Sequence, residues 1–246
     1  IMPDATGGPG RIPAPPTAGR QCLEMTVLDL EAIKQTAAGL YSSSLPYHNF
    51  SHALAVVREA ENIIGKCRSE GVPVDGDIVL LATLFHDAGF HEDHGHLGFP
   101  SKEAYSAELA RRYLLSRGLA PQFVDRVCEA ILSTHCDGVC QNNESKAVRA
   151  ADLAGLAAEY SVFKRNTVRL KHEHELLSRT PAPWPEWRDR AIKRVELFLR
   201  QDLSLTHDYF DAEGESVFHR RTRENLRRLQ ADPNDEVIEG GEIACL

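Results

Sequence analysis

The chain of 246 residues is expected to fold as an all-α protein. Two patterns say so: apolar residues recur at spacings of three and four in nine stretches, and almost nowhere at the spacing of two that marks a strand. The third observation is the segment Ile78 to Phe85, apolar on every side apart from Thr83, which suits a helix at the centre of a bundle. The helical stretches run near 25–41, 51–68, 76–88, 101–117, 121–135, 145–159, 161–178, 185–201 and 215–230. Breakers separate them: Pro46, Gly71-Val72-Pro73, the run from Gly95 to Pro100, Gly118, Asp137-Gly138, and the Pro181/Pro183/Pro185 cluster. No internal repeat is visible. The expected organisation is a single domain over 23–230, with a core near 25–180 and accessory helices at 185–230. The Pro- and Gly-rich segment 1–22 and the acidic segment 231–246 are expected to be disordered tails, and the start at Ile1 reads as an added or processed end.

Acids outnumber Lys and Arg by 36 to 28, a formal charge of −8. That balance excludes a long nucleic acid grasped through its phosphates, but not a small phosphorylated ligand held by a few local cations. No apolar run approaches the roughly 20 residues a membrane helix needs, so a cytoplasmic protein without a membrane partner is expected. Six Cys are scattered without paired CxxC spacing. Cys136 and Cys140 flank the turn after His135, where they could bind metal, but no second pair follows. Reduced thiols are the expectation.

Taken in order, five helices aim a His or a carboxylate inward. His52 shares a stripe with Val56, Ala60 and Ile63, at spacings of 4, 8 and 11. The central helix runs directly into His86-Asp87. Glu103 lies in line with Ala107, Ala110 and Leu114. His135 continues the stripe of Val124, Val127 and Ile131, and Asp152 sits between Val148 and Leu156. A desolvated carboxylate costs several kcal/mol unless it is paired, coordinated or protonated. A lone inward His is more often a hydrogen-bonded core residue, but imidazole and carboxylate converging from several helices match the donor set of Zn, Mn or Fe.

The ordered set His52, His86-Asp87 and Asp152 resembles the H…HD…D signature of the HD-domain superfamily of metal-dependent phosphohydrolases. The local text agrees: Tyr47 to Ala53 (YHNFSHA), Phe85 to Gly89 (FHDAG) and Ala150 to Leu153 (AADL). The resemblance covers about 47–170 and implies a helical bundle with a metal site between its central helices. It also implies one divalent metal (Mn, Mg, Ni, Zn or Fe) held by His52, His86, Asp87 and Asp152. The YHNxxHA stretch is similar to that of cyclic-nucleotide phosphodiesterases, which implies that His48 protonates the leaving oxygen. Ser101 to Ala107 is similar to a Glu-containing segment of bacterial HD proteins. Where two-metal relatives commonly have His, this chain has Glu103. Glu103, His135 and His91 are candidates for a second metal or for substrate, with His91 expected nearest the metal.

Arg149, one turn before Asp152, and Arg165 and Arg169, on one face of the next helix, are candidate phosphate-binding residues. The cations between His219 and Arg228 read as a solvated face. The activity this implies is metal-dependent hydrolysis of a phosphate ester, of a nucleotide or other small phosphorylated molecule. Asp87 would hold the metal and orient water, and His48 would act as general acid. Two alternatives stay open: an HD-fold di-iron oxygenase, using Glu103 and His135 for the second iron, and a catalytically silent nucleotide-binding regulatory module.

Overall fold

A computed structural model describes residues 30–237, so the expected tail 1–22 and the end of the acidic tail lie outside the described residues. Nine α-helices occupy the nine expected stretches: α1 Leu30–Ala38, α2 Phe50–Glu70, α3 Gly76–Phe85, α4 Lys102–Ser116, α5 Pro121–Leu132, α6 Asn143–Leu153, α7 Tyr160–Ser178, α8 Trp184–Phe198 and α9 Val217–Ala231. Among the described residues there is no strand, only an isolated bridge between Phe210 and Ser216. The all-α expectation holds. None of these helices is long and apolar enough to cross a membrane.

Helix α3 is the axis of the bundle and touches α1, α2, α4, α5 and α6. That is why it can be apolar all round: Ile78, Val79, Leu81, Leu84 and Phe85 are all buried. Each such side chain contributes about 1.5–3 kcal/mol relative to exposure. A second apolar cluster joins α7, α8 and α9 through Phe163, Val168, Trp184, Ile192, Val195, Leu226 and Leu229.

Helices α1, α3, α5, α6 and α8 stop earlier than their patterns suggest, and three of these ends shape the site. Helix α5 ends at Leu132, so His135 lies on the turn beyond it, and α6 tightens to a 3-10 turn over Ala154–Ala157. Helix α3 ends at Phe85 because the chain must swing away after His86-Asp87-Ala88. Gly89 makes that swing at φ +72°, with its N–H donated to Leu40 O at 2.8 Å. A Cβ at Gly89 would lie 2.5 Å from Tyr105 Cε1 and 2.8 Å from Leu109 Cδ1. Gly89→Ala therefore meets both a left-handed backbone and a packed wall, and is expected to cost about 2–4 kcal/mol. Chemical denaturation checks it; an unchanged midpoint would show that the turn relaxes freely.

Just past α9 the chain is held at Asp232, whose carboxylate accepts from Tyr160 Oη at 2.5 Å and Lys164 Nζ at 2.8 Å. Trp184 Nε1 donates to the Asp232 carbonyl at 3.1 Å.

Candidate metal centre

Asn49 starts α2 by capping it: its Oδ1 accepts from Ser51 N at 3.0 Å and His52 N at 3.3 Å, and its Nδ2 donates to Leu45 O at 2.9 Å. The cap sets the first turn of α2 with His52 facing α3. At the end of α3, His86 donates Nδ1–H to Thr83 O at 2.7 Å. A carbonyl can only accept, so this bond fixes the ring and turns Nε2 inward.

Four groups then meet. His86 Nε2 lies 2.9 Å from Asp87 Oδ2 and 3.4 Å from Asp152 Oδ1. His52 Nε2 lies 3.6 Å from Asp87 Oδ2 and 3.9 Å from Asp152 Oδ1. Both Nε2 atoms are buried and neither makes a well-directed hydrogen bond, although His86 Nε2 comes close to Asp87, an arrangement that proteins seldom leave uncompensated. The ligand atoms of His52, His86 and Asp87 lie within 4.8 Å of one another. Two inward nitrogens and two carboxylates match the donor chemistry of a divalent transition ion.

The electrostatics point the same way. Burial alone would lower the His86 pKa, but Asp87 and Asp152 outweigh it and push it up to about 10. His52, buried beside His86, is pushed down to about 4. The two acids thus draw one positive charge to the spot between the imidazoles, supplied by a proton on His86 or by a cation.

Asp87 and Asp152 line a cavity of about 730 Å³, and the buried imidazoles of His52 and His86 lie against those two carboxylates. His48 lines it, stacked on Phe90 with ring centroids 3.8 Å apart and Nε2 3.9 Å from Asp87 Oδ2. Its Nδ1 is bound by Glu173 Oε1. The other oxygen, Oε2, accepts from the backbone N–H of Tyr47 at 3.0 Å and of His48 at 2.8 Å. Glu173, buried on α7, thus orients His48, and sequence reasoning missed it.

The remaining candidates divide. Glu103 is buried and lines the cavity. His135 also lines it, from the turn after α5 and not from the helix itself. His91 does not: it is exposed, 3.9 Å from Glu92, and His94 takes the place on the cavity wall. Arg149 is a second correction. It is fully buried and away from the cavity, donating Nε to Gln201 Oε1 at 2.7 Å, Nη2 to His135 O at 2.7 Å and Nη1 to Thr134 O. Arg165 and Arg169 are a third. The cavity face of α7 is Phe163, Asn166, Thr167, Leu170 and His174. Neither Arg165 nor Arg169 lines the cavity, since their stripe is turned away from that face, although Arg169 is near enough to Tyr47 for its charge to act on that hydroxyl.

The cations at the cavity are instead Lys102, Arg190 and Arg194. The last two belong to a stripe of α8 that also presents Trp187 and Phe198. Cys67, Cys128, Cys136 and Cys140 are free thiols, as expected. Cys136 Sγ, with His135 and Asp137, forms a second group of potential ligands, but Asp137 is exposed and its N–H already donates to His135 Nδ1 at 3.2 Å.

No curated protein matches the chain. The family model described as HD domain matches residues 49–154, from the Asn49 cap through Asp152 to the first residue of the 3-10 turn. It spans all four of the converging groups, His52, His86, Asp87 and Asp152. The chain therefore carries an HD domain over residues 49–154, of a family that binds divalent metals and consists mostly of metal-dependent hydrolases.

Proposed function

We propose that the protein is a metal-dependent phosphohydrolase acting on an ester of a nucleotide or other small phosphorylated molecule. The observation that carries this reading is the pair of buried imidazole nitrogens of His52 and His86, neither in a well-directed hydrogen bond, facing Asp87 and Asp152, which line the cavity. Those four residues would hold a divalent ion, which when bound supplies Lewis acidity toward water and a phosphoryl oxygen.

The chain's own residues do the rest. His48 carries a proton on Nε2 toward the cavity and gives it to the departing oxygen, while Glu173 holds Nδ1–H and steadies the imidazolium. Lys102 offsets phosphate charge. Trp187 and Phe198 offer ring faces, and Arg190 and Arg194 offer charge, to the part of the ligand that does not react. The test is phosphate release from nucleoside monophosphates, cyclic nucleotides, pyrophosphates and sugar phosphates, with Mn, Mg, Ni, Zn or Fe added. Metal-dependent turnover on one class is expected. Tight nucleotide binding with no turnover under any metal would favour the regulatory module, and two irons with oxygen consumption would favour the oxygenase.

The Glu173–His48 pair gives a pH test. Burial alone would raise the Glu173 pKa, but bonding from the His48 ring and the two backbone N–H groups outweighs it and holds the carboxyl below its usual range. A carboxylate with a depressed folded-state pKa adds stability above its unfolded value of about 4.3, and that stability is lost as pH falls through the folded value. Wild type should therefore exceed Glu173→Gln by about 1–3 kcal/mol at pH 7. The gap should persist down to about pH 5 and close in stronger acid. Urea unfolding across that range reads it; a gap independent of pH would refute the assignment.

A further inference from the structure

Asp87 divides its two oxygens between two neighbourhoods. Oδ2 faces the imidazoles of His86, His52 and His48 at 2.9, 3.6 and 3.9 Å. Oδ1 accepts from the Lys102 ammonium at 2.7 Å. The same Nζ lies 3.7 Å from Glu103 Oε1 and 4.6 Å over the Phe90 ring. Paired-metal centres set two ions about 3.5–4 Å apart. A carboxylate bridging such a pair gives one oxygen to each ion, which is how Asp87 is disposed here.

Donors for a second ion exist: Glu103 meets the ammonium that Oδ1 holds, and His135 lines the same cavity. What stands between Asp87 and Glu103 is an ammonium. With Nζ 2.7 Å from Asp87 Oδ1 and 3.7 Å from Glu103 Oε1, the ammonium fills the space between the two carboxylates, and a dication bridging them would have to displace it. The lysine does not swing freely. Its Cα is in the first turn of α4, directly after the Ser101 cap, and its charge sits on the face of Phe90.

We propose that Lys102 occupies the second cation position of this centre, so that the chain binds a single divalent ion and the ammonium supplies the second positive charge facing the phosphate. The proposal rests on the metal-centre reading above. It narrows the chemistry: an ammonium offers N–H donors and charge to a phosphate oxygen, but it cannot activate water as a metal does.

The experiment is calorimetric titration of the full chain with Mn²⁺ alone, with metal content measured after gel filtration. Wild type is compared with Lys102→Met, which keeps the stem on Phe90 without the charge, and with Lys102→Ala in case the first variant fails to fold. One Mn²⁺ per wild-type chain and two per variant chain are expected. Two per wild-type chain would overturn the proposal and leave the metal centre standing. One in wild type and still one in a folded variant would overturn it equally, since removing the ammonium should open the second position. None in any of the proteins would overturn the metal-centre reading itself.

Discussion

His86→Ala is expected to yield a folded protein that loses its divalent ion on dialysis and most of its turnover of a phosphate ester. The ring is held by the Thr83 carbonyl on one side and aims Nε2 between Asp87 and Asp152 on the other. No neighbouring side chain can replace that nitrogen, because His52 is already turned toward the same two carboxylates. Losing even an outer partner of a metal ligand commonly costs 10–100-fold in affinity, so losing the ligand should cost about 100-fold or more. A metal centre supplies several kcal/mol of transition-state stabilisation, and each 1.36 kcal/mol is tenfold, so turnover should fall about 10³-fold or further. Combining the change with Asp87→Ala should abolish both. Metal content after dialysis and phosphate release read the two effects separately. Undiminished turnover across the substrate panel would refute the hydrolytic reading, whatever the metal content.

The candidate metal ligands are legible in the sequence because each of them sits on, or directly ends, an apolar helical pattern. His52 interrupts the buried stripe of Val56 and Ala60, and His86-Asp87 follows the most apolar run in the chain. Glu103 was legible for the same reason. What periodicity hides is contact across the fold. Glu173 meets His48 from 125 residues away, and α7 carries so many charged residues that one inward Glu does not stand out. Lys102 is adjacent to Glu103, and only the geometry shows that its ammonium reaches Asp87. His135 was placed inward for a wrong local reason, since the stripe it extends outlasts the helix by a turn. Arg165 and Arg169 do share a face, as their spacing says, but a one-helix pattern cannot tell which face meets the cavity.

The net charge takes on a different meaning beside this geometry. Asp87, Glu103, Asp152 and Glu173 all gather at or beside one cavity. There they hold or orient His48, His86 and Lys102. Acids used this way draw cations into the floor of the cavity, and an acidic protein can then receive a small phosphate ester that its surface would repel.

Arg149→Leu is the variant in which stability and function should part most clearly. The side chain is fully buried, and its three donor directions end on Gln201 and on the carbonyls of Thr134 and His135. Gln201 extends the clamp by donating Nε2 to Cys136 O at 3.2 Å. Three successive carbonyls after α5, which no longer have helical partners, are thus held by two side chains. Those same residues, Thr134, His135 and Cys136, form one wall of the cavity. Leucine would fill part of the volume and satisfy none of the acceptors, so the expected cost is about 3–5 kcal/mol. That corresponds to a melting temperature lower by roughly 10 °C or more. Gln201→Ala, which leaves Arg149 on its two carbonyls, should cost only about 1 kcal/mol. Were Arg149 a phosphate ligand, Arg149→Leu would instead keep its melting temperature and raise KM for the substrate. Thermal unfolding beside steady-state kinetics separates the two, and the occupied guanidinium predicts that the loss appears in the melting curve.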